Sequence, residues 1–258
     1  MKVAIAGAAG RMGQALIDAV RAERELQFAA GLEAKGNPAV GRQVDGVAIT
    51  SELDAALRAA DLLIDFTRPE ATLAHVRACR DQGKRMVIGT TGFSAAQKKE
   101  IDDAATAIPI VMAANFAVGV NALYKLAESA ARILGEGYDV EIIEAHHRQK
   151  VDAPSGTALQ LGRVVAQALG RDLAKSAAHG RHGEPGARPA GEIGFHAVRG
   201  GDIVGEHTVL FAGIGERLEL TVRSQSRATY AGGAVRAARW LASRKAGLYD
   251  MYDVLGLK

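Results

Sequence analysis

The opening of the chain confines its fold. Lys2–Ala6 is a short apolar run, and Gly7-Ala8-Ala9-Gly10-Arg11-Met12-Gly13 follows it without a break. Glycines at a strand end let the backbone turn sharply and approach a pyrophosphate, and a helix from Arg11 to about Ala22 aims its positive N-terminus at that group. The spacing is G-x-x-G-x-x-G rather than G-x-G-x-x-G, so the bare match also fits a merely tight turn. Context favours the nucleotide: a strand precedes, a helix follows, and Glu33 stands about twenty residues on, where an acidic group grips ribose hydroxyls.

The pattern then repeats. Strands are predicted at Lys2–Ala6, Gln27–Leu32, Leu62–Phe66, Met86–Ile88 and Ile110–Ala113, with helical stretches between most of them and a capping box at Ser94-Ala95-Ala96-Gln97. Such alternation builds a Rossmann-like, doubly wound parallel sheet of the α/β class. Ligands of these sheets bind beyond the carboxyl ends of the strands. Four loops fall there: Gly7–Gly13, Phe66–Pro69, Gly89–Gly92 and Ala114–Phe116.

Beyond Phe116 the pattern changes to a helix from about Asn121 to Leu134, a strand Asp139–Glu144, and a helix from about Gly156 to Leu169. Arg171–Ala190, rich in Gly, Pro and charge, reads as an exposed loop. Strands follow at Ile193–Val198, Glu206–Ala212 and Arg217–Ser224, with Gly200-Gly201 as a hairpin turn between the first two. These make a second α+β domain with an open mixed sheet. A last helix, about Ala228 to Ala242, returns to the first domain. The predicted division is 1–115 with 227–258 for the dinucleotide and 116–226 for substrate binding and oligomerisation.

At 258 residues the chain can bury a sizeable core in one large or two modest domains. Its one cysteine, Cys79, cannot form an internal disulfide and falls in a helical pattern, which points to a reducing cytoplasm and a buried structural thiol. No targeting segment precedes the first strand, and no apolar run is long enough to span a bilayer. The net charge of +3 comes without Lys/Arg runs or interleaved aromatics, which argues against nucleic acid and is equally served by anionic small molecules.

The chemistry concentrates in Glu144-Ala-His-His-Arg-Gln-Lys-Val-Asp-Ala-Pro-Ser-Gly-Thr-Ala158. His146 and His147 titrate near neutrality, Arg148 and Lys150 bind carboxylates, and Pro154–Thr157 opens a helix whose first N–H groups are unpaired. Such a segment suits a dianion that must be protonated. Two adjacent histidines alone more often mean one buried and one solvated ring; the cations and the helix start reverse that weighting.

Together these stretches resemble the 4-hydroxy-tetrahydrodipicolinate reductase (dihydrodipicolinate reductase) family, nearly end to end. The carriers are Val3–Gly13, Ile64–Glu70, Val87–Phe93, Ala113–Phe116, Glu144–Ala158 and Gly201–Thr208. The resemblance implies a cytoplasmic homotetramer that reduces a cyclic imine dicarboxylate with NADH or NADPH, on the diaminopimelate route to lysine. It implies His146 as acid/base and Lys150 as a second catalytic cation, with His147, Gly156 and Thr157 holding substrate. It also implies that Gly7, Ala8, Ala9, Gly10, Arg11, Met12, Glu33, Gly89, Thr90, Thr91, Ala113, Ala114, Asn115 and Phe116 line the cofactor. Members that favour NADPH often carry an arginine after the acidic residue, whereas this chain has Ala34. Another imine- or carbonyl-reducing amino-acid dehydrogenase would share the glycine turn without requiring Glu144–Thr157. A nucleotide-sensing non-enzyme would bring a helix-turn-helix or basic arm, which the sequence lacks.

Plainer readings hold elsewhere. His179 and His182 lack carboxylate or cysteine partners, so a surface loop is preferred to zinc, and no metal site is expected. Trp240 and Met12 sit in amphipathic helical patterns that suit packing. Glu144 either orients an imidazole or faces solvent, and Arg68 either approaches the cofactor or is simply exposed.

Overall fold

Val3 and Ile5 leave one face of the first strand, β1 (Lys2–Ala6), while Ala4 and Ala6 leave the other, and all four are buried. A strand covered on both faces belongs in the middle of a parallel sheet with helices on each side. The computed structural model, which describes all 258 residues, Met1–Lys258, has β1 there. The chain forms two units, Met1–Val118 with Arg227–Lys258, and Gly119–Ser226.

In the first unit β1 pairs in parallel with β2 (Gln27–Leu32) on one side and β5 (Leu62–Asp65) on the other. Beyond β5 come β6 (Arg85–Ile88), β7 (Pro109–Met112) and β13 (Gly247–Tyr249); beyond β2 come β4 (Val47–Thr50) and the short β3 (Gln43–Val44). All pairs are parallel except β3 with β4. The alternation seen in β1 divides the interior into two cores. Val3, Ile5, Ile64 and Val111 pack with α1 (Arg11–Arg21) and α8 (Ala228–Leu241). Ala4, Leu63, Met86 and Ile110 pack with α2 (Leu53–Ala59), α3 (Pro69–Asp81) and α4 (Ala95–Ala105). The fold is therefore α/β and Rossmann-like. Cys79 lies wholly inside the second core, and burial pushes its thiol up to about 12.

The turn after β1 is built by two glycines. Gly7 has φ +68, in the left-handed region. A Cβ on Gly13 would lie 2.1 Å from the Gly7 carbonyl oxygen, so only glycine lets α1 pack this close to the turn. Ser94 caps α4 with the full reciprocal capping box.

The second unit is a five-stranded mixed sheet in the order β12-β11-β8-β10-β9, comprising β8 (Asp139–His146), β9 (Ala177–His179), β10 (Ile193–Arg199), β11 (Gly205–Ala212) and β12 (Arg217–Ser224). β8 pairs in parallel with β10 and antiparallel with β11. Gly200-Gly201 is therefore not a hairpin turn, because β10 and β11 flank β8 from opposite sides. Instead Gly200 N–H donates to the His146 carbonyl (3.0 Å) and Arg148 N–H to the Gly201 carbonyl (3.2 Å). The same pairing carries β8 two residues past Glu144, placing His146 opposite Arg199 on a strand rather than in a loop. Arg171–Ala190 is not a bare loop either. It contains α7 (Leu173–Ser176), capped by Asp172, and β9, whose His179 ring stacks on Phe195 at 5.3 Å. The helix α5 begins at Val118, earlier than its expected start near Asn121, and runs to Leu134. α6 (Gly156–Ala168) packs against β8, β10 and β11. The last turns of the chain add α9 (Met251–Leu255) to the first unit.

Candidate active site

In the first unit a cleft of about 1100 Å³ opens at the carboxyl end of β1. Gly7, Ala9, Gly10, Arg11, Met12 and Glu33 line it, while Ala8 is wholly buried beneath. No side chain caps the N-terminus of α1, and its first residues Arg11, Met12 and Gly13 line the cleft. That is the provision a pyrophosphate needs, and the residues present fit a dinucleotide. Glu33 is held in place: Oε1 accepts from Ala9 N–H (2.8 Å) and Oε2 from Asn37 Nδ2 (2.9 Å). Each oxygen keeps a lone pair for a ribose hydroxyl.

Lys35, Asn37 and Arg42 on the Glu33 side, and Thr67, Arg68 and His75 beyond β5, also line the cleft, as does Arg227. Of these, Thr67 and Arg68 belong to the Phe66–Pro69 loop that the sequence places at the crevice, whereas Asn37, Arg42, His75 and Arg227 carry no such local signal. The β5 side is organised by Asp65, which is wholly buried and accepts from Thr67 N–H (2.8 Å), Thr67 Oγ1 (2.6 Å) and His75 Nδ1 (2.7 Å). Thr72 Oγ1 donates to Thr90 Oγ1 at 2.8 Å, tying the loop after β6 to α3. Phe66 and Phe116 rings meet at 5.3 Å, and Gly89 lies under the Phe66 ring. Gly89, Thr90, Thr91 and Ala113–Phe116 stand at or beyond the ends of the neighbouring strands β6 and β7, without lining the cleft itself. Trp240 packs against the core, edge-on to Tyr249 at 5.0 Å.

In the second unit the conspicuous group is a buried carboxylate. Glu144, 1% exposed, accepts from His146 Nδ1 (2.6 Å) and Arg199 Nη1 (2.7 Å) at Oε2, and from Arg199 Nη2 (2.7 Å) and Ser155 N–H (3.1 Å) at Oε1. Burial alone would raise its carboxyl, but the Arg199 and His146 bonds outweigh burial and hold it below the usual range. His146 is buried, and burial most of all pushes its imidazole below its ordinary value, with Lys150 and Arg199 adding to the effect of burial against Glu144. His207, from β11, meets the His146 ring edge-on at 5.1 Å. Burial, aided by His146, lowers it to about 4, so it is neutral at physiological pH.

Ser155 joins these groups to α6. Its Oγ accepts from Ala158 N–H (3.1 Å), capping the helix, and makes a second hydrogen bond with His207 Nε2 (2.9 Å). Gly156 and Thr157 form the first turn of that helix, Gly156 exposed and Thr157 half-buried. Lys150 Nζ donates to both Asp152 oxygens at 2.8 and 2.9 Å, and the Asp152 carbonyl accepts from Arg199 Nη2 at 2.7 Å. His147 is half-buried with a buried Nδ1 that has no partner. One short segment therefore holds an imidazole, an ammonium and a helix start in a single bonded network. Arg199 and His207 complete it from β10 and β11; His207 lies within the Gly201–Thr208 stretch that carries the resemblance, whereas Arg199 has no local signal.

Residues 1–116 match the family described as "Dihydrodipicolinate reductase, N-terminus" and residues 119–255 the one described as "Dihydrodipicolinate reductase, C-terminus". A 4-hydroxy-tetrahydrodipicolinate reductase of Aromatoleum aromaticum is 59% identical, over all of this chain and 96% of the relative. One from Cupriavidus necator is 58% identical over the whole of both chains. Among solved structures, a dipicolinate-bound dihydrodipicolinate reductase from Paenisporosarcina sp. TG-14 superposes with a TM-score of 0.80 at 27% identity, covering 98% of each chain.

Proposed function

The chain belongs to the dihydrodipicolinate reductase family, and from that premise we propose how its two units share the reaction. It is an oxidoreductase that reduces the cyclic imine dicarboxylate derived from 4-hydroxy-tetrahydrodipicolinate to tetrahydrodipicolinate, on the diaminopimelate route to lysine. The first unit, with its glycine turn and Glu33, binds the dinucleotide. The second holds the substrate. The bound nicotinamide supplies a hydride to a carbon conjugated with the imine.

The chain's own residues do the rest. His146, protonated on Nε2, gives up that proton to the electron density left by the hydride, so that one hydride and one proton are added in each turnover. Lys150 neutralises a substrate carboxylate and stabilises charge as it grows. The N–H groups of Gly156 and Thr157, at the start of α6, receive the other carboxylate, and His147 adds a donor. The observation that carries this reading is the Glu144 network, which unites the imidazole and the helix start on one buried carboxylate. Steady-state cofactor oxidation with the cyclic imine, against oxaloacetate plus ammonia, tests it. Turnover with the imine alone is expected; turnover with oxaloacetate and ammonia alone would assign a different dehydrogenase.

Both cofactors serve, with NADH used at least comparably well. Glu33 bonds ribose hydroxyls but repels a 2′-phosphate, and Ala34 offers no guanidinium to offset that. Lys35, Arg42 and Arg11, which line the same cleft, retain NADPH binding. Ala34→Arg should move the ratio of kcat/KM values toward NADPH by about tenfold, the worth of one charge-assisted hydrogen bond. A wild type that prefers NADPH by on the order of a hundredfold would contradict the assignment.

The working assembly is a cytoplasmic homotetramer formed through the second unit. In support, α6 covers only one face of its sheet, while the other exposes Ile143 (38%) and Val198 (50%), and the edge strand β12 exposes Leu218 (39%). Open faces and edges of this kind are usually paired. Sedimentation at micromolar concentration should give four chains per particle; a fully active monomer would overturn the assembly.

A further inference from the structure

We propose that Glu144 and Arg199 form a positioning pair for the proton donor, fixing which nitrogen of His146 carries the exchangeable proton and locking that ring to the start of α6. The inference rests on His146 being the proton source. A carboxylate with 1% exposure is tolerated only when its lone pairs are occupied, and four donors from three elements occupy these. An ionised carboxylate only accepts, so the proton between Glu144 and His146 sits on Nδ1. Nε2 is left as the nitrogen that gains and loses the catalytic proton.

Arg199 does two things. Its planar fork engages both carboxylate oxygens at 2.7 Å, which fixes the plane that the imidazole must meet. It also cancels the charge of Glu144, so that no net anion stands behind the imidazole to repel a dicarboxylate. The Ser155 N–H bond to the same carboxylate sets the register of the helix start against the ring. Besides Glu144 and Arg199, the groups facing His146 are His207 from β11, which is neutral, and Lys150 from the following loop. The pair therefore works on His146 from opposite directions: Glu144 favours the imidazolium and Arg199 disfavours it.

That opposition gives a test that a purely structural ion pair would not pass. In Glu144→Gln the alkaline limb of the kcat profile should move to lower pH by about one unit, and kcat should fall tenfold to a hundredfold as the ring loses its orientation. In Arg199→Gln the limb should move the other way, to higher pH. Nitrogen-15 spectra of histidine-labelled wild type, which need no variant to fold, should show neutral His146 protonated on Nδ1. Limbs that stay in place or move together in well-folded variants, or an Nε2-protonated neutral His146, would overturn the proposal. A wild type inactive on the cyclic imine would instead refute the functional reading, while the spectra would still report on the pair.

Discussion

Replacing His146 with glutamine should lower kcat by roughly a hundredfold or more, because a positioned acid contributes about that much and glutamine has no proton to give. KM should change little. The amide can still donate to Glu144, and the groups proposed to bind the substrate carboxylates, Lys150 and the first turn of α6, are untouched. Wild-type pH dependence adds a second signature. Burial lowers the His146 imidazole in the free protein, and the proposed mechanism requires the protonated form. kcat/KM, which reports the free enzyme, should therefore fall as pH rises through a value below the ordinary histidine range. Two substrate carboxylates nearby favour the imidazolium, so the corresponding fall in kcat should come at higher pH. Near-wild-type turnover of His146→Gln, with an unchanged circular dichroism spectrum, would remove His146 from the chemistry.

Lys150→Ala should lower kcat/KM by about a thousandfold, with kcat reduced and KM raised together. In the proposed mechanism the ammonium binds a carboxylate in the ground state and stabilises additional charge in the transition state, so both constants should respond. In the free protein Lys150 is held by both oxygens of Asp152, whose carboxyl it keeps below the usual range. In the proposed mechanism substrate takes over from that internal carboxylate. Cofactor dissociation constants, read by fluorescence, should match the wild type, because the proposed dinucleotide site lies in the first unit. A change confined to KM would make Lys150 a binding group only.

Much of this protein is legible from local pattern. The glycine turn, the alternation of strand and helix, and the segment from Glu144 to Ala158 each carry their signal within a few residues of one another. What escaped depends on partners far along the chain. Arg199 lies 55 residues from Glu144 and His207 lies 52 from Ser155, and no periodicity links such positions. The glycine pair at 200–201 resembled a hairpin because turn chemistry is local, whereas the choice of β8 as the neighbour of both β10 and β11 is made by the whole sheet. The strands β3, β4 and β9 are too short to show alternation, so Gly and Pro around them dominated the reading. Glu144, left between two roles by sequence, is decided by burial and by its four donors.

The alternation along β8 bears on how this protein can change length. Val140, Ile142, Glu144 and His146 take one face of the strand, while Asp139, Glu141, Ile143 and Ala145 take the other. Neighbours on both sides fix its register, parallel to β10 and antiparallel to β11. Gaining or losing a single residue between Asp139 and Ile143 would leave the ladder intact but exchange the two faces. Glu144 and His146 would then point away from α6, and Ile143 would point toward it. Two residues gained or lost together would restore the facing but shift Glu144 and His146 along the ladder by about 7 Å, away from Arg199 and Ser155. The stretch ahead of Glu144 is therefore fixed in length: an odd change exchanges its faces and an even one moves the network along the sheet, a restriction that no substitution scan would reveal.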